Sequence, residues 1–208
     1  MNIVKQDIWK YLKTGKKPIV LYGMGNGADK IIKALERVSV KPSGVFATDG
    51  FVRDKRFHGM SLTTYSALKE RFGDMTVLLC FGSSRPEVLE NINRIAAEQE
   101  LLVPDVPVYG DGLFDSEYAA ANREELLWVY SRLADEKSRE TLENIVNFKL
   151  SGKPEYLYRC EVSHDEPFQS FLMLCDDESY LDLGAYNGDT VLEFIQKTGK
   201  YKSKTAVE

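Results

Sequence analysis

The hydrophobic pattern of this chain switches repeatedly between two periods. Solid apolar runs at 18–22, 44–49 and 75–81 have the form of strands buried on both faces of a parallel sheet. Between them, apolar residues recur at three- and four-residue spacing, as Ile31, Ile32, Leu35 and Val38 do within 28–38, which predicts amphipathic helices. Further helices are predicted at 7–12, with Ile8, Trp9 and Leu12 on the apolar side, at 62–72, and at 87–100 behind Pro86. Residues 103–109 read as one more extended piece. Strands alternating with helices imply an α/β, Rossmann-like parallel sheet over residues 1–112.

The pattern then changes. Residues 122–134 place Leu126, Leu127, Tyr130 and Leu133 along one stripe, and Leu142, Ile145 and Val146 continue in a second helix. Asp135 is its expected N-cap, and Gly152 and Pro154 end it. We read 113–155 as a helical connector, because each helix has an apolar face to bury. Residues 156–174 mix Tyr156, Tyr158, Phe168 and Phe171 with acids and spell no clear element. A strand at 180–183, a glycine turn, a helix from Thr190 and a strand at 204–208 follow, so 156–208 opens a second Rossmann-like unit.

Composition narrows the function classes. The 27 Lys+Arg and 32 Asp+Glu leave a net charge of −5, which gives no global basic field for nucleic acid. The 3 cysteines, Cys80, Cys160 and Cys175, are odd in number and far apart, the usage expected of reduced thiols in a cytoplasmic protein. The first 17 residues are amphipathic and charged rather than a leader-like apolar run. No stretch approaches the ~20 apolar residues of a membrane span, so no membrane partner is expected. His58 and His164 lack metal-ligand spacing, and no metal site is expected.

Two glycine loops carry the candidate chemistry. Gly23, Gly25 and Gly27 follow a strand and open a helix, and Asp49 stands 22 residues beyond Gly27. That order suits a nucleotide or nucleotide-sugar whose phosphates meet the helix N-terminus. It equally suits a tight strand-to-helix turn with no ligand. The second loop runs from Asp182 through Gly184, Ala185 and Gly188 to Asp189 and Thr190, either of which can cap the following helix. Glu208 ends the next strand, 24 residues after Gly184, close to the spacing at which an acid meets ribose hydroxyls.

The segment Asp182-Leu-Gly-Ala-Tyr-Asn-Gly-Asp-Thr190, followed by Ala206-Val-Glu208, resembles the cofactor motif of FkbM-type S-adenosylmethionine-dependent methyltransferases. The lead-ins at 133–139 and 147–152 are similar to those seen before that motif, so the likeness covers roughly 125–208. Tyr186 stands where the wider methyltransferase pattern has a glycine. The resemblance implies that Asp182 orients the turn and meets the amino end of S-adenosylmethionine. Gly184, Ala185, Gly188 and Asp189 would lie along the cofactor, and Glu208 would hold its ribose. It implies O-methylation of a small molecule or sugar hydroxyl, with the acceptor's base beyond Glu208, so the 208 residues are expected to be an inactive N-terminal portion.

Phe57-His-Gly59 and Cys80-Phe-Gly-Ser83, in their order after the second and third strands, resemble loosely the N-terminal domain of bacterial sugar acyltransferases. That implies a non-catalytic nucleotide-sugar-binding or docking module as the alternative function. Self-association through the connector helices or the 204–208 strand is a third. His58, beside Arg53, Lys55 and Arg56, has an anion-binding reading, but a solvated loop explains it as well. Ser83 and Ser84 have a phosphate-contact reading but are expected rather to cap the helix at Pro86, Cys80 to be an inert core thiol, and Trp9 and Trp128 to pack in the core or between domains. The acids at 165–166 and 176–178 read as solvated loop.

Overall fold

In the computed structural model, which describes residues 1–48, 56–163, 165–170, 172–175, 177–198 and 203–207, the chain begins with α1 (Ile8–Thr14), β1 (Ile19–Tyr22) and α2 (Asn26–Arg37). It continues through β2 (Gly44–Phe46), a hairpin of β3 (Arg56–Phe57) and β4 (Met60–Thr63), and α3 (Tyr65–Phe72). Then come β5 (Thr76–Leu79), α4 (Pro86–Glu98) and β6 (Glu100–Leu102). These strands make one six-stranded sheet in the order β3-β4-β2-β1-β5-β6, parallel except for the β3–β4 pair.

The apolar run of β1 explains the layering. Its alternate side chains point to opposite faces, and all four are buried. Ile19 and Leu21 pack with α1 and with Ala28, Ile31, Ile32 and Leu35 of α2. Val20 and Tyr22 pack with Tyr65 and Leu68 of α3 and with Ile92 and Ile95 of α4. Helices therefore cover the sheet on both faces, as a parallel sheet requires.

Three more helices, α5 (Ser116–Ala121), α6 (Arg123–Arg132) and α7 (Glu136–Ser151), precede the single-turn α8 (Glu155–Tyr158). Asp135 caps α7 by accepting from the Ser138 amide, and Gly152 ends it in the left-handed region at φ 67°, where glycine carries no Cβ strain. Helix α7 is tied to the start of the chain. The Asn147 side chain accepts from the Val4 amide at 2.8 Å and donates to the Asn2 carbonyl at 2.9 Å.

Residues 1–160 form one compact unit and 161–208 another. The second contains α9 (Glu166–Ser170), β7 (Ser179–Leu183), α10 (Asp189–Thr198) and β8 (Ser203–Val207). Strands β7 and β8 pair in parallel from Ser179 opposite Ser203 to Leu183 opposite Val207, and Tyr180 stacks on Phe194 of α10 at 4.5 Å. This is a βαβ unit. Among the described residues no helix is long and apolar enough to cross a membrane.

Several sequence expectations are corrected. Leu62 lies in β4 opposite Val45 and not in a helix, which begins only at Tyr65 with Thr64 as its N-cap. Residues 103–109 form no strand, because Pro104 and Pro107 lack donors and α2 takes carbonyls from this segment. Lys30 donates to the Pro107 carbonyl at 2.8 Å and also to that of Val108, while Arg37 donates to the Asp111 carbonyl at 2.8 Å. The nearby strand is β6 instead. Helix α6 buries none of its residues and leaves Trp128 58% exposed. Of the acids read as solvated loop, Asp165 is exposed and pairs with Lys197, whereas Glu166 begins α9.

Asp7 joins α1 to α5. One carboxylate oxygen caps α1 by accepting from the Lys10 amide at 2.9 Å, and the other accepts from the Ser116 amide at 3.1 Å and hydroxyl at 2.6 Å. Burial pushes this carboxyl up, but the bonds from Ser116 and Lys10 outweigh it and hold the group below its ordinary 3.8. The stabilisation is therefore complete above that pH and is lost as pH falls through the lower folded value. Asp7→Asn should lower the unfolding free energy at neutral pH by about 1–3 kcal/mol and flatten its acid limb, as measured by urea denaturation across pH.

Candidate functional site

In the first unit, β1 and β5 are neighbours whose connections depart to opposite sides of the sheet. Such a switch point leaves a crevice at the carboxyl ends of the strands. A cavity of about 450 Å³ lies there, lined by Gly23, Met24, Gly25, Thr48, Phe81 and Arg85 among others, within the usual range for small-ligand pockets.

The three glycines of the loop divide their work. At Gly23, φ is 104° and an added Cβ would lie 2.6 Å from the Phe81 ring. At Gly27, a Cβ would lie 2.2 Å from the Cys80 carbonyl oxygen, so only glycine lets α2 approach the end of β5. A Cβ at Gly25 would meet nothing within 4 Å, and this residue exposes bare backbone on the cavity. Two glycines thus serve packing, and one serves access.

The start of α2 has no side-chain cap, and neither has that of α4, where Arg85 is the N-cap and Pro86 the first helical residue. Ser83 does not cap α4 as expected; its hydroxyl accepts from the Arg85 amide at 3.2 Å. Uncapped helix starts present free N–H groups and partial positive charge. The Arg85 guanidinium pairs with Glu87. Below them Tyr22, 1% exposed, shares a hydrogen bond with Thr48 at 2.9 Å and accepts from Asn91 at 2.8 Å.

His58 turns the β3–β4 hairpin and its ring meets Asp29, in the first turn of α2, at 2.7 Å. Its partner in the structure is thus an acid. Asp49, and Arg53 and Lys55 beside His58, lie outside the described residues. Burial pushes the Cys80 thiol up to about 12, in keeping with an inert core thiol. Thr48 and the Tyr22–Asn91 pair are not singled out by the sequence pattern, although Thr48 lies near the carboxyl end of the 44–49 run, where this fold places ligand contacts.

In the second unit, β7 delivers Asp182 to the mouth of the loop. Gly184, Tyr186 and Gly188 have φ values of 86°, 43° and 78°, a succession of left-handed residues that folds the loop tightly. The Gly188 amide donates to the Ala185 carbonyl at 2.6 Å. The Asp182 carboxylate accepts a hydrogen bond from the Thr190 hydroxyl, which ties the strand end to the first turn of α10. The Thr190 amide donates to Asp189 at 3.0 Å and the Asp189 amide to Asn187 at 3.2 Å. A Cβ at Gly184 or Gly188 would meet nothing within 4 Å, so the backbone there is open to a ligand. Asp182, Gly184, Ala185, Gly188 and Asp189 form one continuous loop, while Glu208 lies outside the described residues. No cluster of metal-ligating side chains occurs among the described residues.

No protein-family model matches the sequence, and no curated protein matches it. A solved structure of similar fold is the methyltransferase FkbM from Methylobacillus flagellatus KT, with a TM-score of 0.61 and 19% sequence identity over 92% of this chain. The chain has a Rossmann-like α/β fold similar to that of this structure. It spans 55% of the length of that chain.

The contact at Gly27 gives a direct check. Gly27→Ala should destabilise the protein by about 1–3 kcal/mol through overpacking against backbone, read as a lowered midpoint in thermal or urea unfolding.

Proposed function

We propose that this chain is the N-terminal portion of an S-adenosylmethionine-dependent methyltransferase acting on a hydroxyl of a small molecule or sugar. The observation that carries the reading is the β7–loop–α10–β8 unit with Asp182 bonded to Thr190, within a chain that shares the fold of a named methyltransferase. The residues fit the group: Gly184 and Gly188 leave open space beside their backbone, where a ligand can approach closely. Asp182 would meet the amino group of the methionine portion. Gly184, Ala185, Gly188 and Asp189 would line it, and Glu208 would accept the ribose hydroxyls.

S-adenosylmethionine supplies an electrophilic methyl group, and the residues named here bind and orient. None is a base for the acceptor. Because the chain spans 55% of the FkbM structure, we expect no turnover from these 208 residues alone. Methyl-labelled S-adenosylmethionine should protect 182–190 from hydrogen exchange, and Asp182→Ala should weaken binding about tenfold, the scale of one charge-assisted hydrogen bond. Absence of protection at millimolar cofactor would count against the reading. Transfer of labelled methyl by the chain alone would overturn its inactivity.

A second reading rests on the cavity of the first unit. Its open Gly25 backbone, two uncapped helix starts, Arg85 and Thr48 suit the phosphates and hydroxyls of a nucleotide or nucleotide-sugar. On this reading the first unit is a non-catalytic binding or docking module. Uridine diphosphate glucose should then protect 23–27 from hydrogen exchange, and Thr48→Val should reduce that protection. Protection at 23–27 with none at 182–190 under either ligand would make this the leading function.

A further inference from the structure

Helix α6 contains the run Leu126-Leu-Trp-Val-Tyr130, yet none of its residues is buried. Its inner side accounts for part of the run, since Leu126 packs against the cluster formed by Ala119 of α5 with Val146 and Leu150 of α7. The outer side carries Glu125, Trp128, Val129 and Arg132, all exposed, at the i, i+3, i+4, i+7 spacing that shares one helix face. Trp128 is 58% and Val129 40% exposed. The Arg132 guanidinium lies over the Trp128 ring, 4.3 Å from its centre, a cation–π contact within this face. An exposed aromatic flanked by charge is the usual composition of an interface centre with a polar rim.

We propose that this face of α6 binds a second copy of the same chain, with the two helices antiparallel about a two-fold axis. The axis passes between Trp128 and Val129. About that point Trp128 faces the second copy's Val129, and Glu125 faces the second copy's Arg132. Both relations then repeat by symmetry, so the stripe is complementary to itself, as an isologous contact requires. A parallel arrangement would instead set Glu125 against Glu125 and Arg132 against Arg132. The charges therefore select the antiparallel orientation, and opposed helix dipoles favour the same choice. A contact built on one helix pair belongs to the small, transient class of interfaces.

The test uses the 208-residue chain in sedimentation equilibrium across the micromolar range appropriate to such a contact. The mass should rise from one chain towards two. Iodide quenching of Trp128 should fall in parallel, whereas Trp9, 3% exposed, contributes little quenching at any concentration. Glu125→Arg and Arg132→Glu should each weaken association by about tenfold, because each replaces two attractive pairs by two repulsive ones. An equimolar mixture of the two variants should regain the wild-type affinity, since every facing pair is again opposite in sign. Trp128→Lys should abolish association and serves as a second variant if a charge reversal impairs folding. A monomer at all concentrations would overturn the proposal. So would concentration-independent shielding of Trp128, which would mean that the chain itself covers the face. Association that withstands both reversals, or a mixture that fails to regain affinity, would equally overturn it.

Discussion

The close approach of α2 to the end of β5 organises the first unit. Gly27 stands against the Cys80 carbonyl with room for no side-chain atom, and α2 can pack its Ile31–Ile32–Leu35 face on the sheet only from that position. The same approach sets the neighbouring backbone at the carboxyl end of the sheet. Gly23 turns the chain beneath the Phe81 ring, and Gly25 is left bare on the cavity. Packing and access thus come from one short loop. The burial of β1 on both faces makes the arrangement rigid, since Val20, Leu21 and Tyr22 anchor helices above and below.

The second loop reaches a similar form by other means. Here Cβ atoms would meet open space, so its glycines are required by backbone conformation rather than by crowding. Asp182 and Thr190 join strand to helix across the loop, a polar link in place of the steric one at Gly27. The two loops therefore differ in what they tolerate. The first resists any added side-chain atom at its third glycine, whereas the second resists L-residues chiefly through its positive φ values.

Much of the fold was legible because local sequence and tertiary demand agree there. The runs at 18–22 and 75–81 are strands, the spacing of Ile31, Ile32 and Leu35 is a helix face, and Asp135 and Gly152 bound α7. The misreadings arise where distant partners decide. Leu62 was drawn into a strand by Val45, not into the helix its neighbours suggested. Residues 103–109 yielded the Pro107 and Val108 carbonyls to Lys30 of α2 instead of to a ladder. The stripe of Leu126, Leu127 and Tyr130 lies on a helix as its spacing predicts, but none of its residues is buried and Leu126 packs on the core cluster beside α6.

The candidate sites divide in the same way. Both glycine loops, with Asp182 and Gly184 to Asp189, could be picked out from strand-turn-helix order alone, because backbone geometry near a helix start restricts the residues allowed. Which glycine packs and which faces a cavity could not, since that depends on Phe81 and Cys80 from another strand. The Tyr22 network with Thr48 and Asn91 joins residues up to 69 positions apart, and no local period encodes it. Sequence alone determined the longer strands and helices, the parallel class of the main sheet and the places where backbone turns sharply, all short-range consequences of side-chain shape and polarity. Only the tertiary structure decided which surfaces those elements cover and which polar groups meet, because burial and pairing are properties of neighbours remote along the chain.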